Sequence, residues 1–103
     1  MPRNKYNAKK TIVDGITFDS KKEAARYIEL KLLEKRGHIK NLERQVRVDV
    51  THDGHLLFWW KADFVYFENG KRIYEDVKGF ETPVWRLKKK ILRAMLNIHV
   101  RQT

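Results

Sequence analysis

The run from Leu56 to Phe67 is long, apolar and aromatic, and turn chemistry closes it at both ends. His52-Asp53-Gly54-His55 precedes it and Glu68-Asn69-Gly70 follows it. A segment bounded in this way can hardly be anything but a strand with a neighbour on each side. Upstream, Val46, Val48 and Val50 alternate with Arg47 and Asp49, the period-two pattern of a half-buried strand. Downstream, Lys71 to Lys78 reads as a third strand ending at Gly79. The three are expected to form an antiparallel meander.

The flanks supply the rest of the fold. Thr11 to Val13 and Ile16 to Phe18 are β-prone runs around Asp14-Gly15, a two-residue hairpin signal. Ser20-Lys21-Lys22-Glu23 has the form of a capping box, and Gly37 is a C-cap, so a helix is expected over 21–36. Thr82-Pro83 opens a second helix running to about Leu96, with Pro at its favoured first position. Ile98 to Arg101 reads as a short last strand. The order is hairpin, helix, three strands, helix, strand, which predicts a single α+β domain with a central mixed sheet. Residues 1–10 read as a flexible basic arm, and 11–103 as the domain.

Composition narrows the function classes. Twenty-three Lys and Arg stand against 13 Asp and Glu, a net charge of +10, which favours a polyanionic partner. Charge alone does not choose among DNA, RNA and an acidic membrane surface. There is no cysteine, hence no disulfide framework and no thiolate metal site. No apolar run reaches membrane-spanning length, and the first ten residues lack a signal-peptide core. A soluble, cytoplasmic protein is expected.

Asp63 stands inside the apolar strand, where an unpaired carboxylate is costly. Asp76 and Lys78 share one face of the next strand, because side chains alternate. A tight hairpin joins the two strands, so two carboxylates and a lysine can converge on one patch. That trio suits phosphodiester hydrolysis. Carboxylate oxygens bind Mg²⁺ or Mn²⁺, and an ammonium orients water or offsets developing charge. The same three residues also suit a cross-strand salt-bridge set, and their pattern does not separate the two readings.

Asp63 followed by Asp76-Val77-Lys78 resembles the signature of the PD-(D/E)XK nuclease superfamily, with Ala62 where the signature has Pro. The resemblance spans residues 11–102 and implies a restriction-endonuclease-like core. More narrowly, Phe18-Asp19-Ser20-Lys21-Lys22-Glu23-Ala24, Gln45 and Glu75-Asp76-Val77-Lys78-Gly79 resemble a family of small phage proteins. They are also similar to archaeal-type Holliday junction resolvases and a transposon-encoded endonuclease subunit. The resemblance implies Asp63 and Asp76 as metal ligands, Lys78 as a catalytic residue, and Glu23 completing the site from the first helix. The Val77 backbone carbonyl is a further candidate ligand. Glu23 is equally the capping-box Glu, and one carboxylate cannot fully serve both roles.

The supporting residues are less sharply defined. On a helical wheel from Val84, the apolar residues Val84, Trp85, Leu87, Ile91, Leu92 and Met95 cover one face, with Lys88 near its middle. Lys88 is either a snorkelling lysine or a group aimed at the site, and Gln45 approaches the same patch from the first meander strand. Arg86, Lys89, Lys90 and Arg93 on the opposite face, with Lys9 and Lys10 in the arm, are expected to contact DNA phosphates without reading sequence. Of the adjacent Trp59 and Trp60, one belongs in the core and the other stacks on a base or joins a dimer contact. His52 and His55 flank a turn without a third ligand. The expected function is metal-dependent cleavage of DNA, as a junction resolvase or a nickase, with a homodimer expected where paired cuts are made. If phage-encoded, it would act in the bacterial host cytoplasm. The competing readings are a catalytically silent nucleic-acid-binding module and a phage structural or assembly protein.

Overall fold

A computed structural model describes residues 10–77 and 81–103. The fold is α+β: a two-stranded hairpin, a four-stranded mixed sheet and two helices. Strand β1 (Thr11–Val13) pairs with β2 (Ile16–Phe18) through Asp14 and Gly15, both at positive φ, as the Asp-Gly turn requires. Helix α1 (Lys21–Lys35) follows, then β3 (Lys40–His52), β4 (His55–Glu68) and β5 (Lys71–Asp76), successive strands pairing antiparallel. Helix α2 (Pro83–Leu96) leads to β6 (Arg101–Gln102), which lies parallel to β5 at the sheet edge. The last strand is shorter than the expected 98–101 and shifted. Ile98 is buried against the second core instead of laddered, because Asn97 ends α2 in the left-handed region and turns the chain inward.

Two cores sit on opposite faces of the sheet. Phe18, Ala24, Tyr27, Leu30, Ile39, Phe64 and Tyr66 pack under α1. Val50, Trp60, Ala62, Val65, Trp85, Leu92 and Ile98 pack under α2. Strict alternation would keep Ala62 and Phe64 on one face, yet they belong to different cores. The same exchange occurs on β3, where Leu42 packs beneath α1 and Val46 beneath α2. The sheet thus swaps faces at the Gln45–Asp63 position, between the register pairs Arg44↔Phe64 and Val46↔Ala62. Gln45 has φ +51°, the left-handed conformation that gives β3 its local kink.

Helix α2 docks off the centre of its apolar arc. Trp85 and Leu92 face the sheet, with Trp85 against Trp60 at 5.7 Å between ring centroids. Val84, Leu87 and Met95 remain exposed on the neighbouring shoulder. The rotation also swings Lys88 off the middle of the interface. Among the described residues, no helix is long and apolar enough to cross a membrane.

Candidate functional site

Ser20 caps α1 through its Oγ, which accepts from the Glu23 backbone N–H at 3.1 Å. The Glu23 carboxylate turns to the sheet instead of closing a reciprocal capping box. Its Oε2 accepts from Gln45 Nε2 at 3.4 Å and faces Arg44 Nη2 at 3.5 Å. The helix spacing makes this possible: Tyr27 and Leu30, on the same line of α1, are buried against the sheet. One residue therefore serves the cap with its backbone and the site with its side chain.

Asp63 is the second carboxylate. Its Oδ1 accepts from the same Gln45 Nε2 at 3.3 Å, and its Oδ2 accepts from the Val77 backbone N–H at 2.8 Å. The face exchange explains how it gets there. With Arg44 and Gln45 both directed toward the α1 side, β3 offers two consecutive side chains to Glu23 instead of one. Burial pushes the Glu23 carboxyl above its ordinary pKa, and the negative charge of Asp63 pushes it the same way, against the pull of Arg44. Arg44 also lies over the Phe18 ring at 4.4 Å, which fixes its guanidinium beside Glu23. Arg44 was not anticipated; its only sequence signal is its position beside Gln45.

Asp76 is buried at the end of β5. The β4–β5 ladder ends at Phe64↔Glu75, so Asp63 and Asp76 are the next residues along two neighbouring strands at the same end of the ladder. Lys78 and Lys9 lie outside the described residues. Val77 contributes its backbone N–H to Asp63. Lys88 Nζ sits 5.3 Å from the Phe58 ring centroid, a packing role; Phe58 is five residues from Asp63 along β4, roughly 17 Å.

Beneath the site, Glu75 is fully buried and was missed as more than an alternating strand residue. It accepts from Arg26 Nε at 2.7 Å, Arg26 Nη2 at 3.0 Å, Tyr66 Oη at 2.6 Å and Thr103 Oγ1 at 3.2 Å. Burial pushes its pKa up, but the hydrogen bonds from Arg26 and Tyr66 outweigh it and hold the carboxyl below its ordinary value. Tyr66 is pushed up by burial and by Glu75, and stays a neutral donor. This cluster clamps β5 to α1 immediately before Asp76 and Val77.

Among the described residues, no three acidic or histidine side chains gather closely enough to hold a metal ion. A pair does. Glu23 and Asp63 are bridged by one nitrogen, Gln45 Nε2, which stands between two carboxylates where a cation would be held. The same amide carries an oxygen that a turn of the terminal group would direct inward. Two carboxylates and an amide oxygen are hard donors. Mg²⁺ commonly uses only one or two carboxylates and keeps several waters. The residues fit such a cation.

The basic residues of α2 line one open groove with Ile98, His99 and Val100. Arg86, Lys90 and Arg93 are exposed there. Lys89 is ion-paired to Glu81, which also lies 3.9 Å from Arg86, so part of the groove's charge is neutralised internally. Lys10 is exposed just before β1.

Residues 3–102 match a family described as a protein of unknown function. The chain belongs to the DUF1064 family. No curated protein matches it. The match takes in every residue of the carboxylate site and of the groove, so both lie within the family's shared region.

Proposed function

We propose that the protein is a divalent-cation-dependent DNA endonuclease of the PD-(D/E)XK type. The observation that carries this reading is the convergence of Glu23 and Asp63 on Gln45, at the end of the β4–β5 ladder where Asp76 also lies. Nothing in the packing requires two carboxylates to approach each other at a half-exposed point where a sheet changes face. Their mutual repulsion is instead what a cation would relieve. Mg²⁺ or Mn²⁺ supplies Lewis acidity toward a phosphate and makes water a better nucleophile. Glu23 and Asp63 would hold the cation, with Asp76 a further carboxylate at the end of the next strand. Burial raises the Glu23 pKa, the repulsion from Asp63 raises it further, and that repulsion is what a bound cation would offset. Lys78 neutralises charge on the phosphoryl oxygens. Arg86, Lys90 and Arg93 hold backbone phosphates without reading sequence. A homodimer working on branched DNA in the cytoplasm goes with this reading, since each chain offers one such site.

The experiment is incubation of the full chain with linear, nicked and four-way-junction DNA, in Mg²⁺ and in EDTA. Cutting of at least one form in Mg²⁺ and none in EDTA supports the reading; intact DNA throughout, or cutting that EDTA leaves unchanged, removes it. A second reading, a DNA-binding module without catalysis, is favoured by the pairing of only two carboxylates among the described residues. It predicts binding to the same DNA panel with no cleavage in either condition.

A further inference from the structure

Helix α1 covers only the inner half of its face of the sheet. Beyond the Gln45–Asp63 position, that face continues onto the outer part of the β3–β4 ribbon, where no helix among the described residues packs. What the ribbon presents there is unusual for a solvent-facing sheet. Arg47 and Lys61 are direct cross-strand partners. Like charges directly opposed destabilise a strand pair, so this arrangement costs the fold something. Lys61 is exposed and makes no ion pair among the described residues, and Arg47 is half exposed, with its Nε on Asp49 at 2.7 Å. One step further out, Asp49 faces Trp59. Trp59 is 48% exposed, and the Arg47 guanidinium lies 4.8 Å from its ring centroid. Its neighbour Trp60 is on the other face, in the core.

We propose that this ribbon face binds an unpaired strand of nucleic acid, with a base stacked on Trp59 and the adjoining phosphate held by Arg47 and Lys61. Charge complementarity supports a polyanion: two opposed cations lose their mutual repulsion when a phosphate lies between them. The exposed indole selects the unpaired state, because a base inside a duplex has no free face to stack on a side chain. The Arg47 guanidinium lies over one face of the ring, so a base would stack on the other face, and the cation adds to the attraction without specifying a base. Placement supports it as well. Lys61 lies two residues from Asp63 along β4, roughly 7 Å, and Trp59 roughly 13 Å. A strand lying on Trp59 and Lys61 therefore reaches the carboxylates at about the next phosphate. This surface is separate from the α2 groove, which suits the paired part of a substrate. The position of the cut phosphate rests on the nuclease reading; the binding surface does not.

The test is fluorescence-anisotropy titration of a labelled oligothymidylate and of a duplex of equal length, in EDTA, following tryptophan emission in parallel. The wild-type chain is expected to bind the single strand with quenching of Trp59. Trp59→Leu should bind it about 10-fold or more weakly, and Trp59→Phe should recover part of the loss, while duplex binding changes little. Lys61→Ala should lower the slope of log affinity against log salt by about 1. Circular dichroism confirms folding of each variant, and Trp59, being half exposed, is not needed for it. Unchanged single-strand affinity in Trp59→Leu overturns the proposal. So does a loss that is equal for single strand and duplex, or a Trp59 variant whose only change is from dimer to monomer. Single-strand binding through Trp59 in a chain that cuts no DNA in Mg²⁺ would leave this surface standing and remove the nuclease reading.

Discussion

Replacing Glu75 by Gln tests the clamp beneath the site. The carboxylate is fully buried and accepts four hydrogen bonds, three of them under 3.1 Å. Gln keeps one oxygen and substitutes an N–H₂ for the other. Whichever way the amide turns, a donor then faces a donor, on either the Arg26 Nε side or the Tyr66 side. Removing one charge of a buried pair costs about 3–5 kcal/mol. Arg26 is 20% exposed and can partly rehydrate, which points to the lower end, about 3 kcal/mol. For a domain with a total stability of about 5–15 kcal/mol this is a large share. At about 4–8 °C per kcal/mol for this chain size, the melting temperature should fall by roughly 12–24 °C. Urea unfolding at pH 7, read by circular dichroism, measures it. The pH dependence supplies a second check. Because the folded-state pKa of Glu75 is depressed, its stabilisation is full above the unfolded value and is lost as pH falls through the folded one. The gap between wild type and variant should therefore narrow in acid. A loss under about 1 kcal/mol at pH 7, or a gap that is constant with pH, refutes the argument.

Further predictions concern the site itself. Glu23→Gln should fold at least as stably as wild type at neutral pH, because the raised pKa of Glu23 marks a charge that the fold disfavours. That penalty is present above the folded pKa and relieved as pH falls through it, so any stability gain in the variant should disappear in acid; urea melts at pH 7 and pH 4 check this. Cleavage by Glu23→Gln should fall by about 10²-fold in single-turnover assays, on the scale of one lost electrostatic group in a catalytic site. Lys90→Ala combined with Arg93→Ala should flatten the slope of log affinity against log salt by about 2 for duplex DNA. Lys89→Ala should change that slope less, since Glu81 already neutralises the ammonium; salt titrations of the two variants and the wild type compare them.

What was legible in the sequence was local. Asp14-Gly15, Asp53-Gly54 and Asn69-Gly70 all adopt positive φ at their turns, because these residue types tolerate that conformation at little cost. Ser20 and Thr82 cap their helices as their side-chain oxygens predict. The Asp63 and Asp76 strands are neighbours because the hairpin between them is short. What was not legible depended on partners far along the chain or on a broken period. Glu75 reads as one more polar strand residue until Arg26, 49 positions away, is placed against it. Gln45 has no sequence mark of a left-handed residue, so alternation carried through it would assign Val46 and Ala62 to the wrong core. The wheel of α2 gives an apolar arc but not which edge of it docks. Large Trp85 fills the space beside Trp60, turning Val84 and Leu87 outward and Lys88 onto Phe58.

The account stands most directly on Asp63. The measurement is the cleavage rate of supercoiled circular DNA by the wild-type chain and by Asp63→Asn, each in Mg²⁺, with DNA binding measured alongside in EDTA. The account predicts nicking or linearisation by wild type, none by Asp63→Asn, and binding by the variant that is equal or tighter, because a negative charge near phosphate has been removed. Equal cleavage by the two proteins, or no cleavage by wild type under conditions where it binds, would contradict it.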